Sequence, residues 1–92
     1  MLVFHRKPTQ GVEVKNKNNL KTHDIDYLYS EHESVHLRID GVEVVKHEKD
    51  KFYLDKSAEV LIVIIQNHDG FRIGIGAPRH WNIRRKEVPE KL

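Results

Sequence analysis

Residues 59–66 read EVLIVIIQ, and this stretch decides the fold. Val60, Ile62 and Ile64 fall on one face of an extended strand, and Leu61, Val63 and Ile65 fall on the other. A strand apolar on both faces must be covered on both, which in so short a chain predicts a second subunit. Val60 to Ile65 is the longest apolar run, far too short to span a bilayer. Downstream, Asn67-His68-Asp69-Gly70 reads as a turn into a strand over Phe71–Ile75. Ala77-Pro78 ends that strand, Trp81–Arg85 forms the last one, and Pro89 limits any helix beyond it.

Upstream, Phe52-Tyr53-Leu54 reads as a strand and His47–Lys51 as a charged loop. Val35–Ile39 alternates, Asp40-Gly41 signals a type I′ turn, and Val42–Lys46 returns, which predicts a hairpin. Within Thr22–Ser34, Ile25, Leu28, Tyr29 and His32 fall at helical spacing and Thr22 suits the cap, so a short helix is expected. Asn16–Asn19 is turn-like, and Val12-Glu13-Val14 suits a short strand. Leu2-Val3-Phe4 suits another, stopped by Pro8, which has no N–H to donate to a ladder. The sum is an antiparallel β domain of five or more strands plus an insert. GVEV occurs at 11–14 and 41–44, too short a match to make a repeat.

Ninety-two residues allow one small domain, marginal alone, so pairing with a second copy is expected. With 38% apolar and 33% charged residues the chain is globular in composition. The lack of cysteine excludes a disulfide framework and a thiolate metal site, and fits a reducing compartment. Charge appears by His5 and Arg6 with no apolar stretch behind it, so no secretory signal is visible. The expected address is the cytoplasm.

The net charge of +2 hides an asymmetry. Residues 1–10 and 71–92 carry eight Lys and Arg against Glu87 and Glu90, while residues 11–70 carry twelve acids against eight bases. Two basic ends flank an acidic middle. If the first and last strands lie side by side they form a basic ridge suited to a polyanion such as RNA. Arg6 and Lys7 leave the first strand, and Arg84, Arg85 and Lys86 leave the last. Strand neighbours face opposite sides, so Arg84 and Arg85 share a surface only if the strand is ending there. The plainer reading is a solvated charged edge that discourages aggregation.

His32-Glu33-Ser34-Val35-His36 matches HExxH formally. Zinc hydrolysis needs both histidines on one helical face, whereas the hairpin begins at Val35; exposed loop histidines are the better reading. Gly74-Ile75-Gly76 lacks the third glycine of a phosphate-binding loop and reads as strand backbone closely approached by a neighbour. Trp81, set among basic residues, could stack on a base, but packing over an open edge is the commoner role.

MLVFHRKP at the N-terminus, taken with AEVLIVIIQNHDGFRIGIGAPRHWNIRRKEV, resembles the carbon storage regulator (CsrA/RsmA) family of bacterial RNA-binding translational regulators. The match covers about half the chain. The resemblance implies a small five-stranded antiparallel domain in an interlocked, strand-swapped homodimer, with the first strand of one subunit beside the last of the other. It implies binding of GGA-containing hairpin loops in mRNA 5′-untranslated regions, post-transcriptional control of translation and mRNA stability, and no cofactor. Small regulatory RNAs and a protein antagonist are further partners it suggests. Carried over by position, Phe4, His5, Arg6 and Lys7 match the RNA-contacting first strand, and Ala77 and Pro78 match the turn that helps form the pocket. Ile83, Arg84, Arg85 and Lys86 match the final strand, with Arg85 on the family's critical arginine.

The chain departs from the pattern at several points. Arg84 stands where a histidine is usual, Lys86 where a glutamate is usual, Phe4 replaces a leucine and His5 a threonine. The C-terminal helix is nearly absent. Residues 11–50 have no counterpart and read as an insert, an inserted hairpin with a short helix, between the first and second family strands of a single domain spanning 1–92. Two rivals follow from the residues. One is a protein-interaction role, or an autoinhibited regulator whose acidic insert folds over the basic ridge. The other is a zinc hydrolase built on His32, Glu33 and His36.

Overall fold

The structure is a computed structural model describing residues 1–67 and 70–87, the side chains of Asn67 and Glu87 excepted. The turn residues His68 and Asp69, and the segment after the last strand with Pro89, lie outside the described residues. Nine strands follow in order: β1 Leu2–Arg6, β2 Gln10–Asn16, β3 Thr22–Glu31, β4 Ser34–Ile39, β5 Val42–His47, β6 Lys51–Tyr53, β7 Leu61–Asn67, β8 Gly70–Gly76 and β9 Trp81–Glu87. They form two antiparallel sheets, the first ordered β1-β8-β7-β6 and the second β5-β4-β3-β2-β9. No helix occurs among the described residues, and none is long and apolar enough to cross a membrane.

The inner faces follow from alternation. In the first sheet Phe4, Ile62, Ile64, Phe71, Ile73 and Ile75 point inward; in the second Val12, Val14, Ile25, Tyr27, Val35 and Leu37 do. All are buried in one core, where Tyr27 meets Phe71 with ring centroids 4.7 Å apart. The shortest molecular dimension, 20 Å, is that of two stacked sheets with their outward side chains.

The expected helix over Thr22–Ser34 is a strand. His23, Ile25 and Tyr27 point inward between Asp24 and Asp26, a period of two. The register against β4 then shifts between Tyr27 and Tyr29, so Leu28 is an extra residue. That bulge resets the phase, turning Tyr29 outward to stack on His36 with centroids 4.1 Å apart. The bulge is what counterfeits the helical spacing of Ile25, Leu28 and Tyr29.

The hairpin stands as expected, with Asp40 at φ 51° and Gly41 at φ 86°, the signs a type I′ turn requires. Five or more strands is met by nine, but the five-stranded domain that the resemblance implies is too small, because residues 11–50 supply most of β2 and all of β3 to β5, four of the five strands of the second sheet. That segment is structural rather than appended. Gly11 shows how tightly it is built in: a Cβ there would lie 2.5 Å from the Ile25 carbonyl oxygen and 2.8 Å from an Asp26 carboxylate oxygen.

Candidate nucleic-acid interface

β1 and β9 do not hydrogen-bond to each other. β1 pairs with β8 and β9 with β2, each at the edge of its own sheet. The two edges nevertheless lie on the same side of the molecule, one above the other, and leave a groove of about 280 Å³ between them. Leu2, Ala77, Pro78, Trp81 and Ile83 line it, with Arg79 and Asn82 at its polar flank. Farther along the same side, the Arg85 guanidinium lies over the Phe4 ring, 5.4 Å from its centroid. A cation at this distance is held by the ring quadrupole while its N–H groups keep facing solvent.

The predicted residues do not share one face. Phe4 and Arg6 are buried on the inner side of β1, where Arg6 Nε donates to the His5 carbonyl at 2.8 Å. His5 and Lys7 are exposed on the outer side. Ala77, Pro78, Ile83 and Arg85 face the open side. Arg84 and Lys86 do not, because β9 continues to Glu87 and alternation turns them onto the outer face of the second sheet.

There the acidic middle meets them. Arg84 Nε donates to Glu13 Oε1 at 2.8 Å, and this bond raises the Arg84 pKa above its ordinary value. Lys86 Nζ lies 2.9 Å from Asp24 Oδ1 and 2.9 Å from Asp26 Oδ1. Partial burial pulls the Lys86 pKa down, but hydrogen bonding and attraction to the two aspartates outweigh it and the net shift is upward. Two of the three C-terminal cations are therefore neutralised within the chain. Among the described residues, Arg79 and Arg85 have no carboxylate partner.

Trp81 is a packing residue, 6% exposed, at the end of the groove. Its ring stacks on His23 at 5.9 Å, and its indole N–H donates to Glu59 at 3.0 Å. That bond, with one from His80 at 2.6 Å, holds the Glu59 carboxyl below its usual range. Buried His23 sits between Asp40 at 2.6 Å and Asp55 at 3.1 Å, tying β3 to the β4–β5 turn and to the loop before β7. Asp55 is also held low, chiefly by the Ser57 hydroxyl. This half-buried polar network was not legible in the sequence, because its members are far apart in the chain.

His32 occupies the β3–β4 turn at φ 44°, while His36 lies within β4 and stacks on Tyr29. The two are not on one helical face, the arrangement HExxH chemistry depends on. No group of three His, Asp or Glu side chains among the described residues is placed to hold a metal ion. Gly74 is approached closely, as expected: a Cβ there would stand 2.9 Å from the Met1 sulfur.

Comparison with protein families, curated proteins and solved structures finds no match to this chain.

Proposed function

We propose that the chain is a single-stranded RNA-binding regulator of translation and mRNA stability, a divergent relative of the carbon storage regulators that binds GGA-type hairpin loops along the open side between β1 and β9. The observation that carries this reading is Arg85, spread over Phe4 beside an apolar groove and without a carboxylate partner among the described residues. A guanidinium so placed can reach a phosphate bidentately or stack on a base, and the groove offers an unstacked base an apolar floor. A homodimer belongs to the same proposal. β1 and β9 each keep one unpaired edge, and a partner's last strand set beside β1 would occupy both.

The test is a gel shift with a GGA hairpin. Submicromolar binding by the wild type and its loss in Arg85→Ala, with unchanged circular dichroism, are expected. Absence of binding, or binding indifferent to Arg85→Ala, sinks the proposal.

The ion pairs of Arg84 with Glu13 and of Lys86 with Asp24 and Asp26 favour a second reading, an autoinhibited regulator. Here the second sheet's carboxylates compete with phosphates for the outer-face cations. Deleting residues 11–50 would remove four core strands, so only point substitutions can separate the two readings.

A further inference from the structure

β7 leaves Leu61, Val63 and Ile65 half-buried on the outer face of the first sheet, and no described element covers them. The cross-strand register assembles this face in rows. Tyr53, Leu61 and Gly76 form the first; Lys51, Val63, Gly74 and Val3 the second; Ile65, Arg72 and His5 the third. Lys49, whose N–H donates to the Ile64 carbonyl, stands at one flank, and Lys7 at the end of β1 at the other. Tyr53 is 53% exposed and Val3 52%. Met1 fills the hollow that Gly74 and Gly76 leave beside Val63, its sulfur 2.9 Å from where a Gly74 Cβ would stand.

The charge on this face is one-sided. Among the described residues, Lys7, Lys49, Lys51 and Arg72 have no carboxylate partner, unlike Arg84 and Lys86 on the opposite sheet. Among the described residues, Glu48 is the single acid lining the depression of about 450 Å³ that Lys49 and Lys51 share with Val63 and Ile65. A second copy docked by two-fold symmetry would set these cations against each other with little carboxylate to offset them, and like charges across an interface are costly. Single-stranded nucleic acid fits instead: cations track the backbone while an exposed aromatic and an apolar floor receive bases.

We propose that the outer face of the first sheet is a second single-stranded nucleic-acid surface, joined to the open side around β1, whose residues alternate between the two. Phosphates follow Lys51, Arg72 and Lys7, and a base stacks on Tyr53. This inference rests on the RNA-binding reading above, and it lengthens the strand that one chain engages.

The experiment measures fluorescence anisotropy of labelled RNA oligomers, six and twelve nucleotides long, at several salt concentrations. The proteins are wild type, Lys51→Gln/Arg72→Gln, Tyr53→Ala and Arg85→Ala, matched for urea stability. The double variant should bind with a salt slope shallower by about 1.4, two phosphate contacts of single-stranded RNA, and should lose the gain from the longer oligomer. Tyr53→Ala should weaken binding roughly tenfold at unchanged slope, the signature of lost stacking. If Arg85→Ala abolishes binding while the double variant matches wild type, the second surface is refuted and the open-side site stands. If the double variant loses binding and Arg85→Ala does not, this face stands and the open-side site falls. A wild-type dimer in sedimentation equilibrium, broken by Val63→Lys and indifferent to RNA, would give the face to a second copy and overturn the inference.

Discussion

Replacing Glu13 by Gln asks whether the acidic strands hold the outer-face cations away from a polyanion. Glu13 Oε1 accepts from Arg84 Nε at 2.8 Å, with the two side chains 21% and 64% exposed. An ion pair this open adds little to stability in water, so the fold should persist with Tm almost unchanged. Gln keeps an acceptor oxygen but not the charge. The guanidinium then becomes free to meet one further phosphate, which steepens the slope of log K against log salt by about 0.7. Between 50 and 200 mM salt the variant should therefore lose about 2.6-fold more affinity than wild type, from a tighter starting point. Anisotropy titrations of one RNA oligomer at four salt concentrations read both quantities. An unchanged slope together with unchanged affinity would refute the competition between Glu13 and phosphate.

Other outcomes follow from the packing and the titrating groups. Gly11→Ala sets a methyl group against the Ile25 carbonyl and should cost about 1–3 kcal/mol, read as a lower urea midpoint; wild-type stability would mean that β2 and β3 separate more easily than their register implies. Ile62→Ala empties a fully buried site facing the second sheet and should cost about 2–5 kcal/mol in the same assay, and a loss below that range would count against a shared core. Asp55 and Glu59 both have folded-state pKa values below their ordinary ones, so their stabilisation is present above the unfolded carboxylate range and is lost as pH falls through the lowered values. Urea midpoints should drop below about pH 4, and Asp55→Asn with Glu59→Gln should flatten that drop; an unchanged acid limb would remove these carboxylates as its cause.

What could be read from the chain was what is local. The run Val60 to Ile65, the Asp40-Gly41 turn and the Ala77-Pro78 stop each set the course of their own strand through periodicity or backbone freedom. β3 was misread because a bulge is a tertiary device: Leu28 is extra only with respect to β4, and a single strand carries no sign of it. The site divides in the same way. Basic residues at both ends are legible as a charge asymmetry, and alternation already separates Arg84 from Arg85. Which of the two is neutralised depends on β9 lying beside β2, and β2 beside β3, an order set by core packing over long separations. Lys51 and Arg72 read only as part of the charge count, because one lies in the acidic middle and the other within an apolar strand. Their shared outward face appears only once β6 and β8 are joined through β7.

Arg85 over Phe4 has a counterpart across the molecule. Lys46 of β5 points inward and rests 4.3 Å from the centroid of the Phe52 ring of β6. Each seam between the sheets is thus stoppered by a cation from the second sheet seated on a phenylalanine of the first, and an inward charge on an edge strand is a known guard against adhesion. The arginine proposed to hold RNA is therefore also a plug. Its loss would expose the Phe4 seam as a sticky lip, so the evolution of its affinity is constrained by solubility. Lys46 offers the comparison: its substitution should raise aggregation without touching RNA affinity, whereas substitution of Arg85 should change both.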